Sequence, residues 1–204
     1  ITNYDEDHVS GIADLEAKVR VDWLVRNTSV SGPTLLSLKS DTGAGKNIKH
    51  LASRMPSFVP SLNPRPIFPG VTWNVYNNVF PEFDDENNLS MVVDLTINGV
   101  KFLFPGDLEH KGWLHLLVNN EAFRAGVKAT DVLIASHHGR ENGICEEMFD
   151  ILGCSPKIVV ISDDCHQYDT QQTVQYYGSK AQGVNFGDKL RRVLTTRCDG
   201  EIRF

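Results

Sequence analysis

The chain has 204 residues, 41% of them hydrophobic and 23% charged, with a formal net charge of −6. That length and apolar content suit one globular domain with a sizeable core. The acidic balance excludes a broad basic surface for gripping nucleic acid, and no apolar run approaches the roughly 18 residues that a membrane span needs.

The first stretch, "TNYDEDH" (Thr2–His8), gathers an amide, three carboxylates and a histidine just before Gly11. Alone it reads first as an acidic, solvated tail and only second as a metal-binding turn. Ile12 to Val25 reads as a helix with an irregular exit. Residues 27–70 form an irregular, loop-rich segment, rich in Gly, Pro and Ser, with one helix around Asn47 to Arg54. "GAGK" there is not a phosphate loop, because Asn47 stands where that motif needs Ser or Thr.

The pattern sharpens from Ser90. "SMVVDLTINGVKFLF" is two β-runs joined by Asn98-Gly99, a pair that tolerates the positive φ angles of a type I′ turn. The second run ends in "PGD", which places Asp107 just past a strand. A helix is expected over Lys111 to Arg124. "DVLIAS" (131–136) reads as a buried strand ending in "HHG", Glu146 to Leu152 as a helix, and "KIVVIS" (157–162) as a second buried strand ending in "DDCHQYD". Strand, helix, strand predicts parallel pairing. A helix near Gln171 to Lys180 then precedes a last hairpin, "RRVLTTRCDGEIRF", turned at Asp199-Gly200.

The polar clusters share one placement. Asp107, His137-His138 and the group from Asp163 to Asp169 each follow the C-terminal end of a β-run. Loops at that end of the strands build sites in layered α/β folds. Converging Asp and His residues point to metal chemistry. The four cysteines form no CxxC pair, which argues against a zinc ribbon or a thioredoxin-like site. They read as buried thiols of a reducing, cytoplasmic compartment.

These motifs, in this order, resemble the metallo-β-lactamase superfamily. "TNYDEDHVSG" is similar to that family's HxHxDH segment, "FLFPGD" to its later Asp after a strand, and "VLIASHHG" to its later His. The nearest likeness is to the hydrolase domain of ComEC-type competence proteins, through "NNLSMVV", "FPGD", "ASHHGR", "VVIS" and "LTTRCDGEI". The likeness covers most of residues 1–15 and 87–204. It implies a single α/β domain over residues 1–204, an αββα sandwich. Its first N-terminal strands would lie upstream or be supplied by a separate segment or protein partner.

The resemblance also implies a ligand set. One metal position takes Asp7, His8, Asp107 as the bridging carboxylate, and a histidine of the HHG segment. The other retains Asn3, Asp5 and Asp107, where the family has imidazoles. Oxygen ligands favour Mn²⁺ or Mg²⁺ over Zn²⁺, so one firm and one weak site are expected. If strand geometry continued through His137 and His138, their side chains would alternate in direction, and His138 is favoured as the ligand. His137 is then second to the metal or faces substrate. Asp5 or Asp7 would orient the attacking water. His166 is read either as a general acid or substitute ligand, or as a solvated loop histidine.

The implied activity is metal-dependent hydrolysis with metal-activated water, on a phosphodiester of nucleic acid or a nucleotide. Hydrolysis of a non-phosphate ester or thioester is the nearest enzymatic alternative. A non-catalytic binding or regulatory module with a degraded metal site is the alternative of another class, and Asn3 is the residue that favours it.

Overall fold

A computed structural model describes residues 1–41, 43–58, 66–164 and 169–204. The chain opens with two short helices, α1 (Glu6–Val9) and α2 (Ile12–Lys18). The helix expected to run to Val25 stops at Lys18, where Val19 turns to extended backbone. Two more helices follow, α3 (Gly32–Leu38) and α4 (Lys46–Arg54), and a single 3₁₀ turn, Met55–Ser57. Among its described residues, the segment expected to be loop-rich is therefore about half helical. Ser31 caps α3, accepting from Thr34 N at 3.2 Å, with Pro33 in the first turn. Leu35, Ile48, Leu51 and Met55 are buried with Tyr4, Val9, Phe83 and Leu89 in one core. Burying each large apolar side chain contributes about 1.5–3 kcal/mol, and this core fixes the N-terminal segment to the rest of the chain.

The remaining elements build a sheet and its helical cover. They are β1 (Val71–Asn77), β2 (Met91–Ile97), β3 (Val100–Phe104), α5 (His110–Asn119), α6 (Glu121–Lys128), β4 (Val132–Ile134), α7 (Glu146–Asp150), β5 (Ile158–Ile161), α8 (Val174–Lys180), β6 (Val184–Phe186), β7 (Lys189–Arg191), β8 (Val193–Thr195) and α9 (Thr196–Asp199). A six-stranded mixed sheet has the order β1-β2-β3-β4-β5-β8. The β1–β2–β3 pairs are antiparallel; β3–β4, β4–β5 and β5–β8 are parallel. The chain is thus a mixed α/β fold, as the motif order predicts.

The β2–β3 hairpin turns at Asn98 (φ 48) and Gly99 (φ 87), both left-handed, as a type I′ turn requires. Three expectations are corrected. The helix expected over Lys111 to Arg124 is two helices, because Asn120 adopts extended backbone and caps α6, accepting from Phe123 N at 2.9 Å. The expected last hairpin does not form. Val193–Thr195 pairs parallel with β5 instead, Thr195 caps α9, and Gly200 (φ 70) closes that turn. The hairpin of this region lies earlier, as β6 and β7. Strand β1 was not anticipated at all; its whole length pairs with β2.

One sheet face packs Val92, Leu103, Leu133, Val159 and Ile161 against Trp113, Phe123, Met148 and Tyr177 of the helices. Phe102, Val132, Ile158, Val160 and Leu194 form a smaller core on the opposite face. Strands β3, β4 and β5 run parallel, so the residues after their C-terminal ends gather at one edge of the sheet. No helix among the described residues is long and apolar enough to cross a membrane.

Candidate metal centre

Four side chains from distant parts of the chain meet at that edge. His8 comes from α1, Asp107 from the turn after β3, His138 from the turn after β4, and Asp7 from α1 again. His8 Nε2 lies 3.1 Å from Asp107 Oδ2 and 3.3 Å from His138 Nε2. His138 Nε2 lies 3.0 Å from Asp7 Oδ2 and 3.7 Å from Asp107 Oδ1. Tetrahedral coordination at 2.0–2.2 Å would separate ligand atoms by roughly 3.4 Å. Asp7, His8 and His138 each place a ligand atom within 4.8 Å of the other two, and Asp107 adds a carboxylate beside both imidazoles, a donor set that suits a divalent ion.

Each ligand is aimed by local structure. Glu6, beside Asp7, reaches across to α4, accepting from Asn47 N at 3.0 Å and Ile48 N at 3.3 Å. That carboxylate satisfies orphan N–H groups at the helix start and pins α1 in place. Asp107 is 3% exposed, and its backbone N–H donates to Ser90 Oγ at 3.1 Å. Gly106 before it has φ 62, and an added Cβ would press on the Thr2 carbonyl and the Ser90 hydroxyl. His138 Nδ1 sits 2.9 Å from the Ser162 carbonyl. That contact favours Nδ1 as the N–H donor to the carbonyl and points the Nε2 lone pair at the cluster.

His137 (φ 51) and His138 (φ 54) are both left-handed, which costs roughly 1–2 kcal/mol per non-glycine residue. Strain of this kind collects at functional turns. The strand ends at Ile134, so alternation along a strand is not what separates the two rings. The left-handed turn does so. His138 joins the cluster, while His137 is buried beside Arg140 Nη1 (3.1 Å) and Glu109 Oε1 (3.5 Å).

The electrostatics follow the pairing. Burial of the His8 ring opposes protonation, but the hydrogen bond and charge of Asp107, with Asp7 and Asp5, outweigh it and hold the imidazole above its ordinary value. Burial likewise opposes ionisation of Asp107, and His8, His138 and His137 outweigh it, holding the carboxyl below its ordinary range. Burial, reinforced by Arg140, holds His137 below its ordinary value despite Asp107.

The residues expected at a second metal position are engaged elsewhere. Asn3 is buried, its Oδ1 accepts from the backbone N–H groups of Tyr4 and Asp5, and its Nδ2 donates to Asn87 Oδ1 at 3.1 Å. Asp5 pairs with the ammonium of Lys39, which also pairs with Glu86. Lys39 is itself 6% exposed. A fixed positive charge thus stands beside Asp5. Lys39 went unnoticed in the sequence because it ends a helix in the segment read as loop. His166 lies outside the described residues.

No protein-family model matches the chain, and no curated protein matches it. A cleft of about 620 Å³ opens beside the cluster, lined by Asp7, His138, Arg140, Asp163, Asp164 and Thr196. Asp163 is buried and paired with Arg197. Cys198, expected to be buried, is exposed, whereas Cys145 and Cys154 are buried.

Proposed function

We propose that the chain is a metal-dependent hydrolase of metallo-β-lactamase type, acting on a phosphodiester of nucleic acid or a nucleotide. The observation that carries this reading is the cluster of Asp7, His8 and His138 at ligand spacing, with the Asp107 carboxylate against both imidazoles. A divalent ion held by these residues supplies Lewis-acid activation of water and neutralises charge on the transferring group. The chain's own groups do the rest. Asp107 and His8, paired and shielded, hold their positions against the cleft. The Ser162 carbonyl, 2.9 Å from Nδ1 of His138, orients the ring so that Nε2 faces the cluster. Asp7, with its side chain 61% exposed, faces the cleft and is the carboxylate best placed to orient a water there. Arg140 puts a guanidinium on the cleft wall, suited to an anionic substrate. The phosphodiester preference comes from the resemblance to ComEC-type hydrolase domains.

The Lys39 contact to Asp5 favours a second reading, a binding or regulatory module with one metal and no turnover. Rates on single-stranded DNA and on a small chromogenic diester, with Mn²⁺, Mg²⁺ or Zn²⁺, separate the two. The hydrolase reading expects a metal-dependent rate that Asp107→Ala abolishes. Folded, metal-loaded protein without a rate on either substrate would favour the module.

A further inference from the structure

We propose a second metal site in this chain, formed by His110, Cys145 and Glu147 and selective for a thiophilic ion such as Zn²⁺. His110 is the first residue of α5, Cys145 immediately precedes α7, and Glu147 lies in that helix's first turn. One ligand atom from each lies within 4.8 Å of the other two. His110 Nε2 is 3.0 Å from Glu147 Oε2, and Cys145 Sγ is 3.5 Å from the same oxygen. Tetrahedral zinc would separate N from O by roughly 3.4 Å and S from O by roughly 3.6 Å, given its usual bond lengths. A mixed nitrogen, sulfur and oxygen set is a zinc set, and sulfur discriminates against Mn²⁺ and Mg²⁺. The Asp7–His8–Asp107–His138 cluster contains no sulfur, so the two sites are chemically distinct.

Two further features fit an ion here. A cleft of about 520 Å³ borders His110, Glu146, Thr173 and Tyr176, which opens the His110 side of the cluster to solvent or an exogenous ligand. Tyr176 Oη is shielded from solvent and has no hydrogen-bond partner. A coordinated water would give that orphaned phenol one.

The site would act as a clip. His110 stands three positions after Asp107, and Cys145 seven after His138. An ion joining them ties together the two segments that carry two ligands of the first centre. The proposal stands whether or not that first centre turns over a substrate.

Cobalt titration of the full chain tests it, because a thiolate bound to Co²⁺ gives a near-ultraviolet charge-transfer band that oxygen and nitrogen ligands do not. The expected result is one equivalent of that band in wild type, displaced by Zn²⁺ and unchanged in Asp107→Ala. Cys145→Ser should abolish it. His110→Ala, at a half-exposed side chain, should weaken Co²⁺ binding by at least about tenfold. Absence of the band in wild type, its loss in Cys198→Ser or Cys165→Ser, its survival in Cys145→Ser, or unchanged affinity in His110→Ala would each overturn the proposal. If Cys145→Ser does not fold, His110→Ala decides alone.

Discussion

Asp107→Ala should remove most of the stabilisation that Mn²⁺ confers on the folded chain. His8 and His138 bring their Nε2 atoms to 3.3 Å, Asp7 lies 3.0 Å from His138, and Asp107 reaches both imidazoles, His8 at 3.1 Å through Oδ2 and His138 at 3.7 Å through Oδ1. At a metal concentration one hundred times the dissociation constant, an ion that binds only the folded state stabilises it by about 2.7 kcal/mol. For a chain of this size each kcal/mol raises Tm by about 2–4 °C, so wild type should gain roughly 5–11 °C. Loss of groups that merely orient a ligand costs about 10- to 100-fold in metal affinity; loss of a ligand should cost at least the upper value. At the same Mn²⁺ concentration the variant would then sit near half-saturation and gain only ~0.4 kcal/mol, or about 1–2 °C. Calorimetric scans of chelated protein, with and without Mn²⁺, measure both shifts. Each variant serves as its own metal-free reference, so a change in intrinsic stability drops out. Mn²⁺ keeps the sulfur-containing cluster at His110 silent, and Cys145→Ser should therefore show the wild-type shift. A full shift in Asp107→Ala would refute the four-ligand assignment.

Three further outcomes follow from other parts of the fold. Lys39→Met leaves Asp5 and Glu86 facing each other across a shielded position, and urea unfolding should show a loss on the order of 3 kcal/mol; unchanged stability would mean that the pairing is formed equally in the unfolded chain or is offset by water. Gly32→Ala places a Cβ against the Ala52 carbonyl where α3 meets α4, so the variant should lose about 1–3 kcal/mol, and a neutral result would show that the two helices are not closely packed. Asp131 is held below the ordinary carboxylate range by the Lys101 N–H and then Lys157, against partial burial. Its folded value is depressed, so its contribution is present above the unfolded value of about 3.9 and is lost as pH falls through the folded one. Asp131→Asn should flatten the acid side of the stability profile below about pH 4, read from urea midpoints; an equally steep acid limb would remove Asp131 from the account.

What could be read without the structure was what short-range chemistry dictates. Asn98-Gly99 permits the positive φ angles of a tight hairpin, whatever surrounds it. The apolar runs before "HHG" and "DDCHQYD" are too continuous for exposed strands, so parallel pairing and a shared edge for Asp107 and His138 followed. The same local signals failed where tertiary contacts compete with them. Asn120 interrupts an apolar helical run because its side chain caps α6 there. Val71–Asn77 is a strand because β2 offers it a complete ladder, and only its partner reveals this. The segment from 27 to 58 looks irregular in sequence, yet Leu35, Ile48 and Leu51 fold it by burial against Tyr4 and Val9. The candidate metal-site residues divide the same way. Residue type marked Asp7, His8, Asp107 and the two adjacent histidines as a group. Which histidine turns inward was decided by two left-handed backbone positions. Whether Asp5 faces a metal or a lysine was decided by Lys39, a residue 34 positions away. The charge on a carboxylate is written in the chain, but its partner is chosen by the packing that brings a counter-charge within reach.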